Sequence, residues 1–461
     1  MVIVAFTVGI GLIRLPHLGY SSLWYDEAAQ VLAAEGILQY GYPAFPTGYA
    51  YRHGILNSYL MALVFSFFGV SEVSARIASV IFSALTLPLV YFLGKNLGDK
   101  RAGVIATVLV AFSSWAAAWA RQARMYAQFQ FFYFLTMFLF HKTCIHENMI
   151  RESRISLRDT ILLVISFLLA TSSHWLAFAI LPSLLVYLFI TKGVRWIKNR
   201  SFIFLAVFLA VLTIGFYYFA IGVRVPQFQL NWFRHNLLMA YEPFYTRYPV
   251  LSLFVVMGFS IVVLKKNKNL IFLYANFLVP LHLMPLFIAG IGGLGFEVFN
   301  RYLFFLLPIF ALLASFSLLQ HVDSISNAIS QKIADFADHL NKERIKKTVT
   351  IVIIVVVVLP VVSNLYVGFF VPNSQISPAE AFSYLQPAHR EPWIDIEYAG
   401  FRVACEFVHQ YYQKGDAILS TQHLPTYYYL REIFVEENAS FFFLMQRRGV
   451  GTVDRYLNST I

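Results

Sequence analysis

Charged side chains are scarce in this chain: Asp, Glu, Lys and Arg make up 13% of the 461 residues, and 59% are hydrophobic. An ordinary soluble domain carries about 25% charged residues, so the shortage excludes a soluble globular protein and leaves a polytopic membrane protein. Cysteine is almost missing as well. Cys144 and Cys405 are the 2 present; they are far apart and, in the topology below, lie on opposite sides of the bilayer, which excludes a disulfide framework. The apolar opening MVIVAFTVGIGLIRLP lacks the small-residue cleavage site of a secretory signal and runs into the aromatic WYDE, so it reads as a retained span. No internal repeat of fixed period occurs, and the one low-complexity run, IVIIVVVV, belongs to a span.

Taking about 20 apolar residues per crossing, about eleven stretches qualify as spans. They lie near 2–18, 73–94, 102–119, 127–141, 160–174, 176–191, 202–221, 249–264, 270–289, 301–320 and 349–368. The stretch GILNSYLMALVFSFFG at 54–69 carries Asn57 and Ser58 and leads at once into another span, so it reads as an interfacial helix. The expected fold is an α-helical transmembrane domain over 1–368, with interfacial helices in a first outer loop at 19–72. A small outer α/β module follows over 369–461. There Pro372, Pro378, Pro387 and Pro392 punctuate a loop, FRVACEFVHQYYQ reads as an amphipathic helix and DAILST as a short buried strand. With so little strand before LNSTI, the module is expected to be incomplete.

The formal net charge of +11 is the usual mark of cytoplasmic loops in a membrane protein and does not call for a nucleic-acid partner. Loops at 95–101, 142–158, 192–200, 265–268 and 321–347 fall on one side, which the positive-inside rule makes cytoplasmic. Up to residue 368 every lysine lies in these loops. The other side carries only arginines: Arg52, Arg76, Arg121, Arg124, Arg224, Arg234, Arg247 and Arg301. Those arginines need an explanation other than topology.

The spans also lack ionisable residues at mid-membrane, where ion-coupled transporters and proton pumps place carboxylates and histidines. Acids, arginines and histidines gather instead at the outer ends of spans and in outer loops: Asp26, Glu27, Arg52, His53, Arg121, Arg124, His174, Glu297 and Arg301. A reaction site at the outer membrane surface is the expectation.

WYDEAAQVLAAEG reads as a short interfacial helix with Asp26 in its first turn, where the helix dipole favours a carboxylate. Neighbours on a helix diverge, so of Asp26 and Glu27 one is expected to face a cavity and the other the scaffold; the plain alternative is that both cap the helix. In AWARQARMYAQF, Arg121 and Arg124 stand three apart and would share a helix face. Two guanidiniums on one face suit a phosphate or pyrophosphate, the alternative being that they snorkel to lipid headgroups. Arg301 with Tyr302 repeats the theme in FNRYLFFLLPIF. His53 and His174 are each weak signals singly, yet with Asp26, Glu27 and Glu297 they offer nitrogen and oxygen ligands for a divalent cation, without a spacing that identifies a metal.

In order along the chain, WYDEA, RHGILNSYLMALVFSFFG, SEVSARIASVIFS, RQARMYA, SHW and NRYLFFLLPIFALLA resemble landmarks of a known group. This is the C-type membrane glycosyltransferases that use lipid-phosphate sugars, including protein O-mannosyltransferases and aminoarabinose transferases. The resemblance covers roughly residues 1–320. It implies that Asp26 activates the acceptor, that Glu27 completes the family's acidic pair, that Arg121, Arg124 and Tyr126 border the lipid-phosphate cavity, and that Arg301 and Tyr302 form an Arg-Tyr pair beside it. Two departures stand out: YRHGIL replaces the HPP-like turn of the O-mannosyltransferases, and RQARMYAQF lacks the aspartate that some relatives carry there. The first points away from a true protein O-mannosyltransferase, and the second leaves metal dependence open.

The expected activity is therefore transfer of a sugar from a polyprenyl- or dolichyl-phosphate donor to a protein, lipid or glycan acceptor. Asp26 and Glu27 would be catalytic, while Arg52, His53, Arg121, Arg124, Tyr126, His174, Arg301 and Tyr302 would bind substrate. A single carboxylate acting in one in-line displacement implies inversion at the anomeric carbon. The alternatives are a ligase for lipid-linked oligosaccharides on the same scaffold, a lipid or polysaccharide transporter, and a receptor-like protein working through its outer module.

Overall fold

In the computed structural model the described residues are 2–16, 18–19, 21–145, 157–193, 230–288, 296–336, 341–370, 401–413, 417–420, 423–436 and 440–443. The expected span at 202–221, Arg224, the Glu297 side chain and much of the expected 369–461 module lie outside them. The described chain is mostly helical. Its helices are α1 (Val2–Leu12), α2 (Tyr25–Tyr40), α3 (Ile55–Phe68), α4 (Glu72–Leu97), α5 (Lys100–Ala111), α6 (Ser114–Ala120), α7 (Tyr126–Phe140), α8 (Leu157–Ser173), α9 (Ile180–Lys192), α10 (Leu230–Arg247), α11 (Pro249–Lys265), α12 (Lys268–Ile288), α13 (Phe296–Tyr302), α14 (Leu307–Phe336), α15 (Lys342–Phe370), α16 (Phe401–Tyr411) and α17 (His423–Glu436).

Among the described residues, 3 helical stretches are long and apolar enough to cross a membrane: Glu72–Leu97, Lys268–Leu286 and Phe304–Ile333. Two further pairs, α5 with α6 and α10 with α11, pass the same test together but bend by 59° and 116°, bringing the number to 5. The other expected spans within the described residues fall on shorter helices, such as the 11 residues of α1 and the 15 of α7, or on α15. Side chains set the breaks. Past the end of α5 at Ala111, Ser113 caps the start of α6, its hydroxyl accepting the Ala116 N–H at 3.0 Å. At that break the buried Arg14 guanidinium donates to the Val110 and Ala111 carbonyls at 3.0 and 2.9 Å and to the Ser83 hydroxyl, satisfying carbonyls that the ending helix leaves without partners.

The main core gathers Phe, Leu and Tyr side chains of α4, α5, α7, α8, α12 and α14. A second, smaller core lies around α2 and α3, where Leu23, Val31, Leu32, Met61 and Phe65 pack with Tyr428 of α17. In the 401–443 region two short strands, β1 (Ala417–Ser420) and β2 (Ser440–Phe443), pair in parallel from Ala417↔Ser440 to Ser420↔Phe443. A parallel pair needs a crossover connection, and α17 lies between them. This unit docks on α2. The Leu23 N–H donates to the Tyr429 hydroxyl at 2.7 Å, that hydroxyl reaches Glu72 at 3.1 Å, and Arg431 pairs with Glu35.

Candidate functional site

Asp26 and Glu27 open α2 and point in different directions. Glu27 is fully buried: Arg76 donates from Nε to Oε1 at 2.9 Å and from Nη2 to Oε2 at 2.8 Å. The Ala123 N–H donates to Oε1 at 2.6 Å and the Trp24 N–H to Oε2 at 3.4 Å. The rest of the Arg76 guanidinium is taken up by the Leu18, Ser21 and Ser22 carbonyls. Glu27 therefore joins the start of α2 to α4 and to the turn before α7. Glu27, expected to be catalytic, does not line the cavity, and the partners described for its carboxylate belong to the scaffold.

Asp26 faces a cavity of about 730 Å³. Its Oδ2 lies 3.1 Å from Arg301 Nη1 and 3.5 Å from Arg124 Nη2. Arg124 also donates from Nη1 to the Asp26 carbonyl at 2.9 Å and to the Tyr51 hydroxyl at 3.0 Å. In both arginines the buried Nε has no hydrogen-bond partner among the described residues. Two guanidiniums around one carboxylate leave a net positive charge and spare donors, the requirements for holding an anion.

The arginines reach this point by different routes. Residues 121–125 are a break between α6 and α7, not a helix, and so Arg121 and Arg124 do not share a face as expected. Arg121 turns back to donate to the Arg14 and Pro16 carbonyls at 2.9 and 2.6 Å, bracing the exit of α1, and it is not among the residues lining the cavity. Arg301 comes from the end of α13, with its guanidinium 5.2 Å from the Tyr302 ring centre. Arg52 is exposed and likewise stands off the cavity wall.

His53, Tyr126, His174 and Tyr302 all line the cavity. His174 starts the short 3₁₀ turn Trp175–Ala179, its Nδ1 accepting the Leu176 N–H at 3.2 Å; an accepting Nδ1 is that of a neutral ring with its proton on Nε2. Its ring rests among Phe129, Tyr302 and Tyr126 at 5.2, 5.5 and 5.8 Å. His53 sits at the cavity edge, where desolvation first and then the Arg124 charge lower its pKa from 6.5, with Asp26 opposing.

Among the described residues no three His, Cys, Asp or Glu side chains gather as a metal site. A cation, which the sequence left open, would find Asp26 already flanked by two arginines and Glu27 turned away, so the donor set there does not fit one. Sequence reading missed Tyr25, Phe45, Tyr49, Tyr51 and Tyr427, all on the cavity wall. The signal for most of them was present in GYPAFPTGYAY, a segment dense in aromatic, Gly and Pro residues.

Residues 52–218 match the family described as dolichyl-phosphate-mannose-protein mannosyltransferase. No curated protein sequence matches the chain. Among solved structures, ArnT from Cupriavidus metallidurans bound to undecaprenyl phosphate is similar with a TM-score of 0.54 at 14% identity, over 96% of this chain and 86% of ArnT. The Archaeoglobus fulgidus oligosaccharyltransferase tethered with an NVT-sequon acceptor peptide is similar with a TM-score of 0.55 at 12% identity, over 93% of this chain and 62% of its own. AglB from that organism, in complex with an inhibitory peptide and a dolichol-phosphate, gives 0.53 at 12% identity, over 95% and 64%. The chain thus spans less than two thirds of the oligosaccharyltransferase. Over residues 52–218 the chain is similar to the mannosyltransferase family, and across most of its length it shares the fold of ArnT and the oligosaccharyltransferase.

Proposed function

We propose that the protein transfers a sugar from a polyprenyl- or dolichyl-phosphate donor to an acceptor at the outer face of the membrane, with Asp26 as base. The observation that carries this reading is the placement of Asp26 between Arg124 and Arg301 in an open cavity. The acceptor hydroxyl or amine gives its proton to Asp26 and attacks the anomeric carbon. The bond from that carbon to the phosphate oxygen breaks, and the electron pair leaves with the phosphate. Arg124 and Arg301 stabilise the charge that develops there. One displacement from the face opposite the phosphate inverts the anomeric carbon, and a retained product would sink this mechanism.

The ion pairs seen without substrate fit this chemistry. A carboxylate held by two guanidiniums is a poor base, and a donor phosphate competes for both of them. Donor binding thus loosens Asp26 at the moment a base is needed. The polyprenyl tail would run between spans, leaving its phosphate at the interface. A ligase for lipid-linked oligosaccharides is a second reading, supported by the fold shared with the oligosaccharyltransferase. The deciding experiment is Asp26→Asn in purified protein: turnover of a lipid-phosphate sugar should vanish while binding of undecaprenyl phosphate persists. No turnover in the wild type, with transport or ligand binding unchanged in the variant, would favour a transporter or a receptor.

A further inference from the structure

The transfer chemistry uses only part of the cavity wall. A further part is aromatic, formed by Tyr25, by Phe45, Tyr49 and Tyr51 of the segment between α2 and α3, and by Tyr427 of α17. Three of these rings stand in a row. Tyr49 and Phe45 lie 6.5 Å apart with their planes within 15°, and Phe45 and Tyr51 lie 5.3 Å apart. The Tyr51 hydroxyl accepts from Arg124, which meets Asp26. The row leads from an open lip, where Tyr49 is 72% exposed, to the carboxylate.

The row is held rigid. The Phe45 N–H donates to the Tyr49 carbonyl at 2.9 Å, the Gly48 N–H to the Phe45 carbonyl at 2.8 Å and the Tyr51 N–H to the Pro43 carbonyl at 2.9 Å. Gly48 takes the turn at φ +79°, a conformation L side chains rarely adopt. Gly36 of α2 lets the segment lie against the helix, since a Cβ there would come within 2.1 Å of the Ala44 carbonyl oxygen. A rigid, exposed aromatic platform presents contact area that costs little ordering on binding.

We propose that this row, on the transferase reading above, is the acceptor subsite and stacks a pyranose ring, so that the acceptor is the sugar of a glycan or glycolipid. A pyranose has a flat C–H face for the rings and hydroxyls at its rim for the phenols of Tyr25, Tyr51 and Tyr427. An extended peptide would seek a free backbone edge, and here the hairpin spends those groups on itself. An isoprenoid tail has no use for phenol hydroxyls at the mouth of a loop.

The test is saturation-transfer NMR on the full chain in lipid nanodiscs, with a panel of methyl hexopyranosides, an acetylated Ser/Thr peptide and citronellyl phosphate as separate probes. At least one glycoside should receive saturation mainly on the C–H protons of one ring face. Tyr49→Ala and Tyr427→Ala should each weaken that glycoside's binding by about three- to tenfold, the range for one lost ring contact, while Tyr49→Phe keeps it. Because Tyr49 is exposed, its loss leaves the fold intact, which unchanged thermal unfolding verifies. The proposal is overturned if no glycoside responds, if the response ignores Tyr49→Ala, or if peptide or citronellyl phosphate is the probe that Tyr49→Ala releases. Failure of citronellyl phosphate to bind through Arg301, with glycoside binding intact, would strike the transferase reading and leave the sugar subsite standing.

Discussion

The Asp26 carboxylate meets the Arg301 guanidinium at 3.1 Å across 275 residues of sequence, on the same oxygen that lies 3.5 Å from Arg124. On the proposed reading, the base and the groups that would hold its leaving group occupy each other, and donor and carboxylate are rivals for the same two cations.

Asp26→Asn should separate the two roles. Turnover should fall by about 10²–10⁴, the usual contribution of a general base. Undecaprenyl phosphate should bind more tightly than to the wild type, because the competing charge is gone. Equilibrium binding in nanodiscs measures the second effect, and a weaker affinity would contradict the rivalry.

Arg301→Ala and Arg124→Ala should each weaken undecaprenyl phosphate by about 10- to 100-fold, corresponding to ~1.5–3 kcal/mol for a charge-assisted hydrogen bond. Lysine should restore only part of this, since an ammonium lacks the planar fork of a guanidinium. Arg124→Ala should also loosen Tyr51, and thus disturb acceptor use more than Arg301→Ala does.

Glu27→Ala should act on stability. It strands the Arg76 charge in a buried site, at a cost of about 3–5 kcal/mol, read as a lower unfolding temperature in detergent. Replacing both Glu27 and Arg76 with leucine should cost less than either single change, because no charge is then left unpaired.

His53 should titrate below 6.5 by NMR, since burial and Arg124 lower it. Arg124→Gln should raise its pKa and Asp26→Asn should lower it further. With the folded value below the ordinary one, the stability His53 contributes is complete above pH 6.5 and is lost as the pH falls from there towards the folded value. The difference in unfolding temperature between wild type and His53→Gln should follow that course.

Gly36→Ala should move the segment that carries Phe45 and Tyr49, because the added methyl collides with backbone and not with a flexible side chain. Acceptor use should fall while undecaprenyl phosphate still binds, a split visible in separate titrations.

The sequence carried some of this and not the rest, for physical reasons. The divergence of Asp26 and Glu27 follows from helix geometry, since adjacent positions cannot face one target, and Arg301 was visible as a charge at the edge of an apolar run. The unwinding of 121–125 was hidden, because RQARM contains neither Gly nor Pro. Tertiary bonds cause it: the Ala123 N–H is drawn to Glu27, and Arg124 to the Asp26 carbonyl. The aromatic row was legible only as composition, its order being set by hydrogen bonds within the hairpin. Apolar patterning found the long helices, while α1 is shorter than the run that suggested it.

The docking of α17 on α2 puts the cavity wall under a clock. Leu424 and Tyr427 complete a chamber whose other walls come from residues up to 302, so translation must run more than a hundred residues past Tyr302 before the chamber has all its sides. A nascent molecule bearing Asp26, Arg124 and Arg301 still lacks one side of its cavity until this late segment folds back onto the opening helix. Synthesis itself thereby delays the complete site, and a chain truncated before residue 423 would hold the charged end of the site with one wall missing.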